Sequence, residues 1–389
     1  MNILDKKLKR GILFLGAGSL QQISINSAIQ HDYITLGVDK NKNSKSSKLC
    51  DFFLNCDSTD IVTIYNWVCS LQNIEVFAVW ANNDILIPTR VSLEQALNVK
   101  APYASHSICL DMLSKERFSS NLKETGLVAK SYDVSKKNKF KYPLIIKPKK
   151  GSGSLGIKLV KSFKDIDFFD FKPESHLLEE YLSGDEYGTN HFSDGKTVFR
   201  LPAVRRYFDH NLTMVPLGTV TANMHDPSLK KACSQLEDLI LDKKWIGPIK
   251  SDIIINMRKM RIIEMSARFH GEIDTSIVFN YLNVSLPNFY FLWLSSNKNW
   301  ELNENKDFNF GYISIFNNSK LSKKFVNKIF SKYNLEYLST LNLRKNNKKT
   351  FPKSPKSTKD LLAYVFYRSK TQLSIKKFSN LFKDINLVV

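Results

Sequence analysis

The sequence predicts a multidomain protein that combines α/β and α+β architecture. Three observations predict it: a strand, glycine turn, helix and strand in residues 10–39, an apolar strand that runs into a glycine-rich loop in residues 142–156, and a hairpin of two apolar strands in residues 249–265. With 389 residues, 43% of them hydrophobic, the chain is long enough for two or three compact units with large cores.

The first pattern is typical of a βαβ unit in a doubly wound, Rossmann-like domain. Its turn has the form G-x-G-x-x-Q, with Gln21 where a dinucleotide fingerprint has Gly or Ala. Asp39 ends the second strand, where a ribose-binding acid would lie. Nicotinamide binding and a substrate-facing turn without a dinucleotide are therefore both open at this point.

Polar residues follow the apolar strand Glu75 to Trp80. Asn83 and Asp84 lie where the carboxyl end of a parallel strand meets ligands in α/β domains. The alternative is that one of them caps the next helix. Further along, we expect a helix from Leu110 to Glu124 and a strand from Ala129 to Val134.

A nucleotide site is the main functional prediction. Lys147 ends an apolar strand and is followed by the loop GSGSLG, residues 151–156. One ammonium and several backbone amides suit triphosphate oxygens. A strand from Ile157 to Val160 would return antiparallel, which makes the loop a hairpin lid.

Two acidic residues, Asp252 and Glu264, lie at equal distances from a turn near Arg258. Paired strands place them opposite one another on the same face. Two such charges about 4 Å apart repel by about 4 kcal/mol at an effective dielectric of about 20, so a cation must compensate. Magnesium does this, and salt bridges to Lys250, Arg261 or Arg268 are the alternative.

The order of these parts resembles the ATP-grasp superfamily, in particular the carboxylate-amine ligases related to the large chain of carbamoyl phosphate synthetase. The resemblance covers roughly residues 10–310. It implies a Rossmann-like domain at residues 1–104 that precedes the ATP-grasp domain, and a two-lobed ATP-grasp domain at residues 105–310. Residues 311–389 are then a small C-terminal α+β appendage.

The resemblance also implies roles for individual residues. Lys115 and Lys147 would reach the nucleotide phosphates under the loop, Glu179 and the backbone of the next three residues would meet adenine, and Glu186 would bind the ribose. Arg268 and Lys147 would act in catalysis. The implied ATP-binding residues are Lys115, Lys147, Gly151, Ser152, Gly153, Ser154, Gly156, Glu179, Glu180, Tyr181, Leu182 and Glu186, and the implied ligands of Mg²⁺ (or Mn²⁺) are Asp252, Glu264 and Ser266.

Three residues depart from the family pattern, among them Lys130, which stands near where a proline often follows the glycine of the preceding turn. Ser266 stands where the E-x-N-x-R element has asparagine, and a serine hydroxyl is a poorer magnesium ligand than a carboxamide oxygen. Ser114 replaces the aspartate that usually precedes Lys115. The departure at Ser266 predicts a weaker or shifted second metal.

Residues 269–275 follow Arg268, where the family often contacts the acceptor. His270 could orient substrate or take the amine proton, and a histidine packed at a helix start is the alternative. Arg205 and Arg206 could bind a substrate carboxylate or phosphate, or lie on an ordinary surface.

The function predicted from this resemblance is an ATP-dependent ligase that activates a small carboxylate as an acyl phosphate and joins it to an amine. The alternatives are a bicarbonate-activating carboxylase of the same superfamily and a nucleotide-binding protein with little turnover.

Composition indicates which compartment and which partners to expect. The five cysteines are spread without paired spacing, so neither a disulfide framework nor a zinc site is indicated, and a cytoplasmic protein without a signal peptide is expected. The net charge is +20, but the lysines form no nucleic-acid motif, so no nucleic-acid partner is expected.

The apolar segment Ile277 to Leu294 is too interrupted for a membrane span and predicts a buried helix followed by a second helical piece. The basic segment 344–359 predicts a solvated loop. A homodimer is compatible with the resemblance.

Overall fold

The structure is a computed structural model that describes residues 8–135, 140–151, 153–168, 171–210, 212–271, 277–295, 307–316, 321–343 and 360–386. Its strands form three sheets, of four, eight and three strands. None of the helices in these ranges is both long enough and apolar enough to cross a membrane. The basic segment 344–359 lies outside the described residues.

The N-terminal sheet is parallel and has the strand order β3-β2-β1-β4. Strand β1 is buried in its last five residues, as expected for a strand covered on both faces. The predicted βαβ unit is therefore confirmed. The strands and helices of this region are β1 Lys9–Leu15, α1 Gln22–Gln30, β2 Ile34–Val38, β3 Phe52–Leu54, α2 Ile61–Ser70, β4 Ile74–Trp80 and α3 Ile87–Ala96.

Two predictions for the next segment are wrong in detail. Helix α4 spans His106–Leu113 and α5 spans Lys115–Leu122. They are separated because Ser114 has an extended backbone and its hydroxyl accepts from the Arg117 amide as the N-cap of α5. The expected strand at residues 129–134 is reduced to single bridges at Val128 and Ser131.

The three-stranded sheet carries the glycine loop. Its strands are β5 Leu144–Pro148, β6 Lys158–Val160 and β7 His176–Glu180, in the order β6-β5-β7, and helix α6 Phe163–Phe168 follows β6. Because β5 and β6 pair antiparallel, the loop between them is the hairpin connection that the sequence predicts.

The eight-stranded sheet has the order β12-β11-β8-β9-β10-β13-β15-β14. Strands β11 and β12 form the predicted hairpin at one edge. The strands are β8 Asp185–Ser193, β9 Val198–Asp209, β10 Thr213–Thr221, β11 Gly247–Asn256, β12 Lys259–Ser266, β13 Asn309–Ile315, β14 Glu336–Asn342 and β15 Ala363–Ser369. The helices that accompany them are α7 Pro227–Asp242, α8 Leu286–Leu294, α9 Lys323–Ser331 and α10 Ile375–Asn386.

Aromatic packing joins the N-terminal sheet to the rest of the chain. The ring of Trp80, at the end of β4, lies 5.3 Å from Phe291 and 5.5 Å from Tyr290 in α8. A short 3-10 helix, Phe279–Leu282, precedes α8, so the interrupted apolar segment is two buried helical pieces as predicted. This contact fixes the carboxyl end of β4 beside β12.

The C-terminal segment extends the large sheet instead of standing beside it. Strand β13 pairs with β10, and the expected boundary at residues 310 and 311 falls inside β13. Helix α10 covers the same sheet, where Phe378 stacks on Tyr207 of β9 with ring centroids 3.9 Å apart. The domain boundaries drawn from the sequence remain a proposal.

Removing the Phe378 ring tests this packing. The substitution Phe378→Ala is expected to lower the free energy of unfolding by about 3–5 kcal/mol, because it leaves a cavity beside a fully buried tyrosine. Urea denaturation followed by circular dichroism measures it. The exposed neighbour Lys376 provides the matched control, and Lys376→Ala should stay within about 0.5 kcal/mol of the parent protein. Equal effects of the two substitutions would contradict the packing described.

Candidate nucleotide site

A cavity of about 370 Å³ lies between the three-stranded sheet and the β11–β12 hairpin. This volume is within the range of small-molecule sites. It is lined by twelve of the residues that the resemblance assigns to ATP or the metal: Lys115, Lys147, Gly151, Gly153, Ser154, Glu179, Glu180, Tyr181, Leu182, Glu186, Asp252 and Glu264. Distant segments of the chain therefore converge on one cleft.

Three predicted residues that the structure describes are not among those that line the cavity: Gly156, Ser266 and Arg268. Ser152 lies outside the described residues. Conversely, part of the wall comes from β9, β10 and their connection, which the sequence analysis did not assign to the nucleotide: Phe208, His210, Met214 and Pro216. The only sequence signal for these residues is strand alternation, because every second side chain of a strand points to the same face of the sheet.

Two lysines mark one end of the cavity. Lys147 lies in β5, and its Nζ is 2.6 Å from Oε2 of Glu179 in the neighbouring strand β7. The Nζ of Lys115 donates to the carbonyl of Gly151 at 2.6 Å. Burial lowers the pKa of Lys115 below its ordinary value, although Glu264 opposes the shift. The Lys115 ammonium is thus held at the start of the glycine loop, and the Lys147 ammonium is held beside Glu179.

The glycine loop turns sharply between β5 and β6. Gly151, Gly153 and Gly156 all have positive φ angles, a region that side chains other than glycine rarely occupy. Such a conformation leaves backbone amides available for an anion. The sequence therefore needs glycine at these positions for the backbone itself.

The hairpin brings two carboxylates together. Asp252 of β11 pairs directly with Glu264 of β12, as the spacing predicts. Lys250 lies two residues before Asp252 on the same face, and its Nζ is 3.2 Å from Asp252 and 2.5 Å from Glu264. Burial alone would lower the pKa of Lys250, but the two carboxylates raise it above its ordinary value. Of the salt-bridge partners left open by the sequence, Lys250 is therefore the one that the structure supplies.

Arg206 of β9 adds a second cation. Its guanidinium donates to Asp252 through a very short contact and to Glu186 at 3.3 Å. Burial would raise the pKa of Asp252, but Arg206 and Lys250 hold it well below its ordinary value. Burial raises the pKa of Glu186 to about 7 despite Arg206. Arg205, one residue earlier, faces the other way and pairs with Asp185 at 2.6 Å.

Asp84 connects the N-terminal sheet to β12. Its carboxylate accepts from Nε and Nη2 of Arg268 at 2.7 and 2.6 Å, and from the hydroxyl of Ser266 at 2.7 Å. Asn83 caps the short helix that follows, as the capping alternative predicts, whereas a ligand at Asp84 stays a prediction. Burial would raise the pKa of Asp84, but the Arg268 guanidinium lowers it well below its ordinary value. Arg268 and Ser266 are thus engaged with Asp84, and their roles at the phosphates and the metal remain predictions.

His270 is buried and its ring is engaged on both sides. Nδ1 lies 3.0 Å from the Arg206 guanidinium, and Nε2 lies 3.4 Å from the Ser251 carbonyl. Burial holds the pKa of His270 well below its ordinary value. This arrangement favours the packed histidine over an acceptor-facing base. Residues 272–275, the remainder of the expected acceptor segment, lie outside the described residues.

The N-terminal glycine turn is held by its own acid. Asp39 accepts from the amides of Ala17 at 2.9 Å and Asn41 at 2.8 Å. The carboxylate that could have bound a ribose therefore stabilises the turn itself. Nicotinamide binding at this turn has no support from these contacts.

The donor chemistry near the hairpin suits one magnesium ion. Carboxylate oxygens such as those of Asp252 and Glu264 are typical magnesium ligands, and one or two of them suffice when phosphates complete the shell. Within the described ranges, no cluster of three or more His, Cys, Asp or Glu side chains is arranged to hold a metal. Ser266, the third ligand expected from the resemblance, instead donates to Asp84.

Neutralising Asp84 tests the link between β4 and β12. Asp84→Asn is expected to lower the free energy of unfolding by about 3 kcal/mol at pH 7, because it leaves the buried Arg268 guanidinium without its counterion. Urea denaturation at pH 7, 5, 4 and 3 measures it. Since the folded pKa of Asp84 is lowered, its stabilisation is complete above the unfolded pKa of about 3.9 and is lost as the pH falls towards the folded value.

The difference between parent and Asp84→Asn should therefore narrow below about pH 4. The exposed pair of Glu336 and Arg368, 2.7 Å apart, supplies a control, and Glu336→Gln should cost less than about 1 kcal/mol. A difference that stayed constant from pH 7 to pH 3 would argue against an ionised Asp84.

Comparisons with known proteins agree with this architecture. Residues 112–272 match the ATP-grasp domain family. A formate-dependent phosphoribosylglycinamide formyltransferase from Prochlorococcus marinus (strain MIT 9515) is 23% identical over 309 residues, which cover 72% of this chain and 75% of that protein.

Solved structures share the whole fold. The L-amino acid ligase from Bacillus licheniformis superimposes with a TM-score of 0.74 at 13% identity and covers 97% of this chain and 98% of its own. The N5-carboxyaminoimidazole synthetase from Staphylococcus aureus, solved with ADP, gives 0.70 at 13% identity over 99% of both chains. At these identities the likeness establishes the fold. The match at residues 112–272 identifies that part of the chain as similar to the ATP-grasp domain family.

Proposed function

We propose that this protein is an ATP-dependent ligase that activates a small carboxylate as an acyl phosphate and joins it to an amine. The observation that carries the proposal is the single cavity that Lys115, Lys147, Asp252 and Glu264 all line. Ammonium groups and carboxylates in one cavity suit a triphosphate with its metal. The formyltransferase and ligase names of the relatives support the same class of reaction.

The reaction needs a leaving group on the carboxylate. A carboxylate oxygen attacks the γ-phosphorus of ATP, the bond to the β-phosphate oxygen breaks, and ADP leaves. The amine then attacks the acyl carbon, phosphate departs with the electron pair of the C–O bond, and loss of a proton leaves the amide. The protein's contribution is alignment and charge neutralisation, because phosphoryl transfer requires little covalent chemistry from side chains.

Lys115, Lys147 and the amides of the glycine loop would neutralise the charge that spreads over the phosphate oxygens. Glu179 orients Lys147 through their ion pair, and the apolar side chains of Leu182 and Ile254 in the same cavity suit the adenine ring. Asp252 and Glu264 would hold a magnesium ion, which supplies further charge neutralisation when it is bound. Arg268 would reach the transferring phosphoryl group only by leaving Asp84.

Lys147 gives the direct test. The substitution Lys147→Ala is expected to lower kcat/KM for ATP-dependent phosphate release at least about 100-fold, because an ammonium that binds the transferring phosphate is lost. The assay uses a panel of carboxylates paired with amines, and bicarbonate alone as a separate arm. Circular dichroism checks that the fold persists.

Lys141, an exposed residue just before the same strand, supplies the control. Lys141→Ala should release phosphate at the parent rate. An undiminished rate in Lys147→Ala would remove Lys147 from the mechanism. Release that requires bicarbonate and no other carboxylate would favour the carboxylase, and ATP binding without release across the panel would favour a nucleotide-binding protein with little turnover.

A further inference from the structure

The carboxylate pair of the hairpin already has a cation built into the chain. Lys250 belongs to β11, where residues two apart share a face, so its side chain must lie beside that of Asp252. The hairpin register places Ser266 opposite Lys250 and Glu264 opposite Asp252. Lys250 thus reaches Glu264 diagonally, and its side chain is only 6% exposed.

The two carboxylates differ in what remains accessible. Asp252 receives Lys250 on Oδ2 and Arg206 on Oδ1, and its side chain is 10% exposed. The Glu264 side chain receives Lys250 on Oε1 and is 34% exposed, on the wall of the cavity. Glu264 is therefore the carboxylate that a metal carried by the nucleotide meets first.

The third expected ligand does not favour a second metal. Ser266 offers a hydroxyl where a carboxamide would be a better oxygen donor, and that hydroxyl is hydrogen-bonded to Asp84. A fixed ammonium next to both carboxylates also repels a divalent ion that approaches them. The Lys250 ammonium and the Ser266 hydroxyl lie opposite one another in the hairpin, and both weaken the binding of a second metal ion.

We propose that the Lys250 ammonium takes the place of a second divalent cation, so that this chain binds its nucleotide with a single metal ion. The inference rests on the proposed function because it assumes that the cavity binds a nucleotide. The competition between Lys250 and a metal does not need a nucleotide, because it is a property of the hairpin itself. Lys250 is then a positioning residue that fixes the carboxylates while the nucleotide is absent.

The experiment counts Mn²⁺ as a probe by electron paramagnetic resonance. Without nucleotide, Lys250→Met is expected to bind Mn²⁺ at least about tenfold more tightly than the parent protein, because the methionine keeps the side-chain length and removes the charge. Lys250→Arg keeps the charge and should bind as weakly as the parent. An unchanged affinity in a folded Lys250→Met would overturn the proposal.

In the second arm the number of ions on the parent protein decides the question. With a saturating non-hydrolysable ATP analogue, the parent should bind about one Mn²⁺ per chain, and Lys250→Met combined with Ser266→Asn should bind about two. Two ions on the parent would overturn the proposal. Failure of the analogue to bind would count against the proposed function, and the arm without nucleotide would then decide the role of Lys250.

Discussion

The pairing of Asp252 with Glu264 is the constraint around which the site is organised. Hairpin register forces two carboxylates onto one face of the β11–β12 hairpin, where their repulsion must be neutralised. Lys250 of β11 and Arg206 of β9 provide that neutralisation. Because Lys250, Arg206 and Asp252 are largely buried, removal of one of them leaves the others uncompensated and lowers the stability of the sheet.

The second organising contact crosses between sheets. Asp84 follows β4 of the parallel sheet and holds Arg268 and Ser266 at the end of β12. Aromatic packing of Trp80 on α8 places the end of β4 close enough for this contact. The N-terminal sheet therefore positions the hairpin from one side while the glycine loop and its two lysines face it across the cavity.

Much of the site could be predicted because its determinants are local. Glycines with positive φ mark the loop, and the distances of Asp252 and Glu264 from their turn fix the register. The position of Lys250 beside Asp252 follows from strand alternation, so that signal was present in the sequence. The engagement of Arg268 with Asp84 was not, since 184 residues separate them and only the packing of two sheets brings them together.

The errors in the fold have both local and distant causes. The break at Ser114 is a local capping signal that the predicted helix from Leu110 to Glu124 overlooked. The extension of the large sheet by β13, β15 and β14 depends on strand order, which no local pattern determines.

The account depends most on the nucleotide lying between Lys147 and the hairpin. A crystal structure with Mn²⁺ and a non-hydrolysable ATP analogue tests it most directly: the account predicts phosphates between Lys147 and Glu264, and a nucleotide at the turn of residues 16–18 would contradict it.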